Sequence, residues 1–101
     1  MMIIEFPNPQ TCTVTGLKEL NAANAGPVRD EVRAALTPDC TCLDLDLSTV
    51  TFVDSSGLGA LIALHRTMRS RRGTLRLLNP TAGVRQSIVL LRLNEILELV
   101  P

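Results

Sequence analysis

Two serine hydroxyls stand beside a carboxylate in the stretch Asp54-Ser55-Ser56-Gly57-Leu58-Gly59. A serine oxygen can act as a nucleophile, accept a phosphoryl group, or satisfy free N–H groups at a helix start. Nucleophilic catalysis needs a base within hydrogen-bond reach. The only histidine, His65, lies two to three helical turns further on, roughly 15 Å from Ser55 at 1.5 Å per residue. A hydrolase elbow would place glycines two residues either side of the serine. Val53-Asp54-Ser55-Ser56-Gly57 lacks the first of them. A phosphate-cradling loop needs a lysine after its second glycine, and none follows Gly59. The chain is therefore not expected to be an enzyme, and no cofactor is expected. Any helix start attracts anions, so a bound nucleotide stays open. Cys12, Cys40 and Cys42 read as reduced thiols, and with His65 alone to add they make no metal site. The remaining readings of the serines are a phosphoacceptor and a plain helix cap.

The flanking residues say what positions this stretch. Leucine alternates with aspartate through Cys42-Leu43-Asp44-Leu45-Asp46-Leu47, the pattern of a strand with one buried face. Downstream, Leu58, Leu61, Ile62 and Met68 follow helical spacing, with His65 in the same stripe. The serines thus sit where a strand turns into a helix. Gly57 and Gly59 weaken that helix. One reason for them is to leave its first turn bare, so that another backbone or a protein surface can approach.

The rest of the chain reads as strands at 2–6 and 11–15, antiparallel across a turn at 7–10. A helix follows at 24–36, with Val28, Val32, Ala35 and Leu36 as its apolar stripe. Asn24 is preferred to Asn21 as its cap, because Pro27 is tolerated only in a first turn. Then come a strand at 41–47, the helix of the serines to about 71, and a strand at 74–78. A third helix opens at 79–81, carries Val84, Ile88 and Leu91 on one side, and breaks at Asn94 before a last strand at 96–100. Asp44 and Asp46 imply that one sheet face is polar or open, with the helices mainly on the other. The expected fold is a single small α/β domain over 1–101. It has a four- to five-stranded mixed sheet with a parallel βαβαβ core.

Composition narrows the partners. Aromatic residues are only 2% of the chain, Phe6 and Phe52, so a base-stacking platform is not expected. No apolar run reaches transmembrane length and the start lacks a basic leader. A soluble, cytoplasmic protein with no membrane contact is expected. Net charge is zero, yet residues 65–101 carry Arg66, Arg69, Arg71, Arg72, Arg76, Arg85 and Arg92 against Glu95 and Glu98. The densest run reads as cations facing a helix C-terminus. No direct nucleic-acid binding is expected.

Asp54-Ser55-Ser56-Gly57-Leu58-Gly59, placed after a strand ending in 45–53, resembles the signature of the STAS domain family, in its anti-sigma factor antagonist branch. The resemblance covers roughly 11–100. Glu19-Leu20-Asn21 resembles the family's step before the first helix, with Lys18 where a glycine is usual. Leu91-Arg92-Leu93 stands where a Thr-Gly-Leu-like step is common. The resemblance implies phosphorylation at Ser55 by a partner that is both anti-sigma factor and serine kinase. It also implies a phosphatase that reverses this, and a sigma factor released when the unmodified chain holds the kinase. The implied contact surface is Asp54, Ser55, Ser56, Gly57, Leu58 and Gly59, with Asn21 and Asn24, Asp54 orienting the serine. The alternative is a non-switching STAS scaffold in a stress-sensing or transport complex. Relatives commonly add a last helix; without one, apolar surface would be left for a partner or for a weak homodimer.

Overall fold

The computed structural model describes residues 1–101. The elements in chain order are β1 (Ile3–Asn8), β2 (Thr11–Thr15), α1 (Ala25–Ala35), β3 (Cys42–Asp46), α2 (Ser55–Ser70), β4 (Thr74–Leu78), α3 (Ala82–Leu90) and β5 (Glu98–Val100). One sheet holds all five strands in the order β1-β2-β3-β4-β5. β1 and β2 are antiparallel, and the later pairs are parallel. The expected mixed sheet is therefore present with all five strands.

Register explains why leucine and aspartate alternate. Cys12, Leu43 and Leu75 align across three strands, and Val14, Leu45, Leu77 and Leu99 across four. These rows join Val28 and Val32 of α1, Leu58, Leu61, Leu64 and Met68 of α2, and Val84 and Ile88 of α3 in one core cluster, with Leu99 half-buried against its margin. The helices thus cover one face of the sheet, as its pattern implied. The intervening row, Thr13, Asp44, Arg76 and Glu98, lies on the other face. Burial raises the Cys12 thiol to about 11, with Cys40 and Asp44 adding to it, so the group stays protonated at neutral pH.

Several boundaries differ from the sequence reading. β1 continues through Pro7 and Asn8, which were assigned to a turn, and its register shifts between Glu5 and Asn8. An edge strand tolerates proline because no neighbour asks for its missing N–H. In α2 the buried stripe runs through Ala60, Leu61, Leu64 and Met68, while Ile62 and His65 are only half-buried. α3 ends at Leu90, ahead of Asn94: Leu91 is its C-cap and Arg92 turns left-handed at φ 56°. Asn94 falls within a 3-10 turn, Leu93–Glu95, and β5 starts only at Glu98. Leu91 is consequently 61% exposed and does not join Val84 and Ile88 in the core.

Asp44 is the one buried charged residue, and it is paired. Arg76 Nε and Nη2 donate to its two carboxylate oxygens, each at 2.7 Å. The Cys42 thiol adds a donor at 3.2 Å. The Arg76 hydrogen bonds outweigh desolvation and hold the Asp44 carboxyl below its ordinary range. A depressed carboxylate contributes stability that is complete above its unfolded value, about pH 4, and is lost as pH falls below it. Arg76→Gln should cost about 2 kcal/mol at neutral pH, less than a fully buried pair because Arg76 is 39% exposed. The gap in melting temperature between variant and native chain should narrow below about pH 4, which thermal melts across pH will check.

Candidate functional site

The loop after β3 is tied down before it reaches the serines. Asp46 accepts from the Ser48 N–H and hydroxyl, and the Thr49 hydroxyl donates to the Leu17 carbonyl. Val53 then forms a parallel bridge with Leu20. This places Asp54 at the N-cap of α2 in an extended conformation, the position where a short carboxylate side chain can reach the first free N–H groups.

Asp54 uses both oxygens. Oδ1 accepts from the Gly57 N–H at 2.9 Å, capping α2, and Oδ2 accepts from the Ala22 N–H at 2.9 Å. The carboxylate therefore joins the first turn of α2 to the 17–24 loop. Its pKa is lowered, first by the Gly57 N–H and then by Ala22, against desolvation, so it is ionised at neutral pH. Asn21 and Asn24 build the facing loop. Asn24 Oδ1 accepts from the Asn21 N–H and its Nδ2 donates to the Glu19 carbonyl, both at 2.8 Å. Asn21 Oδ1 accepts from the Ala23 N–H at 2.9 Å. Asn24 holds the cap position of α1, but its side chain folds back on 19–21 and does not cap the helix. The α1 start is served instead by the Asn21 carbonyl, which accepts from Ala25 at 2.8 Å.

The two glycines have different reasons. A Cβ at Gly57 would lie 2.2 Å from the Leu20 carbonyl oxygen and 2.6 Å from Val53 Cγ1. Its bare turn is thus filled from within the chain, by the backbone of the 17–24 loop. A Cβ at Gly59 would meet nothing within 4 Å, so that position faces open space.

Ser55, Ser56 and Gly59 are exposed, whereas Leu58 is buried beneath them. The two serines border different grooves. Ser55 lines an apolar groove of about 290 Å³ with Val53, Leu58, Ser87, Leu90 and Leu91. Ser56 lines a groove between α1 and α2 whose wall is Ala22, Ala25, Gly26, Arg29, Gly59 and Ala60. His65 lines neither groove, so Ser55 has no imidazole beside it. Sequence reasoning missed Leu90 and Leu91 as surface residues. The available signal was a pair of leucines beyond what the Val84 and Ile88 stripe needs.

The family model described as Mlab, STAS domain matches residues 8–101. The chain belongs to the STAS domain family. TM1081 of Thermotoga maritima, a proposed anti-sigma factor antagonist, superposes with a TM-score of 0.90 at 23% identity, over 99% of this chain and 86% of that one. The phosphorylated form of SpoIIAA, a Bacillus cell fate determinant, superposes at 0.76 with 20% identity, over 100% of this chain and 92% of that one. The murine anion transporter Slc26a9 contains a similar domain, at 0.79 and 28% identity; the match covers 91% of this chain but 16% of the transporter. No curated protein matches the chain by sequence. The fold of this chain is that of its antagonist neighbours.

Gly57→Ala should lower stability by roughly 1–3 kcal/mol, the usual range for overpacking, because backbone and not a flexible side chain blocks the Cβ. Gly59→Ala should be neutral or stabilising, since helix propensity improves with no clash. Denaturant melts of the two variants will check the contrast.

Proposed function

We propose that the chain is an anti-sigma factor antagonist that works by partner switching. The observation that carries this reading is an exposed Ser55 on the first turn of α2, at the lip of an apolar groove. Unmodified, the chain binds an anti-sigma factor that is also a serine kinase, and a sigma factor is released. The kinase transfers the γ-phosphoryl group of ATP to Ser55 Oγ, which gives up its proton, and ADP leaves. The phosphorylated chain lets go, and a phosphatase restores it by hydrolysis.

The physical chemistry favours this division of labour. Phosphoserine adds about −1.5 to −2 charge and three acceptor oxygens. On a first helical turn the fold tolerates that charge, because the free N–H groups and the helix dipole favour it. At the lip of an apolar groove the same group must be desolvated before a partner closes, and ionised Asp54 adjoins it. Stability is spared while binding is lost. The Leu90–Leu91 wall is where an aliphatic side chain of the kinase would lodge. Asp54 orients the serine, Asn21 and Asn24 hold the facing loop, and Ser56 and Gly59 extend the contact surface. Gly57 and Leu58 act from beneath it.

A second reading, a non-switching scaffold in a transport assembly, draws on the similar domain in the Slc26a9 anion transporter. The two readings part on one experiment. With the kinase and ATP, phosphopeptide mapping should find one phosphate, on Ser55 and not on Ser56. By calorimetry Ser55→Ala should bind the kinase as the native chain does, and Ser55→Asp at least about tenfold more weakly, both folding normally. Equal affinities would remove the switch and leave the scaffold.

A further inference from the structure

The far end of α2 carries cations that the fold does not use. Arg71 Nη1 donates to the Thr37 and Cys40 carbonyls at 2.6 and 3.2 Å. Arg76 is bound to Asp44, Arg29 to Asp30, and Arg33 Nε donates to the Thr67 hydroxyl. Arg66, Arg69 and Arg72 are exposed, and neither ion pair of the chain involves them. Compensation of the helix pole accounts for Arg69, in the last turn. Arg72 also stands beside that pole, but at a backbone cost. That residue lies past the end of α2 at φ 59°, in the left-handed region where an arginine is strained. The next residue, Gly73, is required for another reason: a Cβ there would lie 2.6 Å from the Thr41 carbonyl oxygen. The strained position is therefore held by a cation in a tightly built turn.

Beside this turn lies a groove of about 210 Å³. His65 and Arg69 of α2 form one wall, Thr74 and Glu98 stand on the strand side, and Ile96 supplies apolar surface above the buried Leu75. Ile96 is 51% exposed. Arg72 borders an adjoining depression together with Arg69, Gly73 and Thr74. The groove is at the N-terminal ends of the parallel strands, whereas Ser55 follows their C-terminal ends. Fourteen residues of helix separate Arg69 from Ser55, about 20 Å at 1.5 Å per residue.

We infer that this groove is a second docking site, for an acidic segment of a protein partner that presents an aliphatic side chain beside its carboxylates. Charge complementarity selects the carboxylates, through Arg69 and Arg72. Ile96 selects the aliphatic group. Nucleic acid fits less well, since no Phe, Tyr or Trp side chain lines the groove to stack on bases. The site lies on the opposite end of α2 from Ser55, so both surfaces can be occupied at once and phosphorylation of Ser55 leaves this one intact.

The test uses the full chain and a synthetic peptide of Glu-Glu-Leu repeats, followed by amide chemical shifts and calorimetry. Shifts should cluster at His65, Arg69, Arg72, Gly73, Thr74 and Ile96. Arg72→Gly relieves the left-handed strain, so it should melt no lower than the native chain. It should nonetheless bind the peptide several-fold more weakly, and Arg69→Glu roughly tenfold more weakly. Ser55→Asp should bind the peptide as the native chain does. Shifts that are absent or fall at the α2 N-terminus would overturn the inference. So would unchanged affinity in a folded Arg69→Glu, or tighter binding of duplex DNA or phosphatidylserine vesicles than of the peptide.

Discussion

One carboxylate and one missing Cβ hold the serine-bearing end of this molecule together. Asp54 joins the N–H of Gly57 to that of Ala22, and the absent side chain at Gly57 lets the Leu20 carbonyl sit against the helix. A side chain at residue 57 would push the 17–24 loop out of reach of Asp54, and without Asp54 the Ala22 N–H would turn to water. The two serines inherit their placement from this clamp. They stand exposed above groups whose hydrogen bonds are already made.

The sheet supplies the rigid side of the arrangement. Its covered face is a continuous apolar layer, and three helices dock on it through one cluster. Its other face carries the Asp44–Arg76 pair with bidentate geometry. A buried carboxylate needs such a partner, and the partner must come from the adjacent strand at the same level. The pair therefore opposes a one-residue slip between β3 and β4, since a slip would leave Asp44 facing an aliphatic neighbour. The strand that leads to the serines is held in register by a charge.

Period-two and helical patterns made the element order, the parallel core and the covered face legible. The Asp-Ser-Ser-Gly step located the strand-to-helix turn and the exposed serines. Three things were not legible. Asn24 was read as a side-chain cap, but a local motif cannot show that the same amide serves Glu19 and Asn21. Gly57 and Gly59 look alike in a sequence, and only tertiary contact separates a position filled by Leu20 from one that faces space. Leu91 fits the spacing of Val84 and Ile88, yet a left-handed Arg92 ends the helix before that spacing can act. For Asn24 a competing bond within its own loop won, for Gly57 a long-range contact, and for Leu91 a backbone angle.

The edges of the sheet carry a consequence for life at high concentration. Unpaired strands invite copies of the same chain to add on, which is how soluble domains turn into fibres. Here one border has a proline and a register slip between Glu5 and Asn8, and the other offers only the three residues of β5. A visiting strand finds too short or too irregular a template to keep. The chain can therefore accumulate in quantity without its own borders becoming its strongest partner.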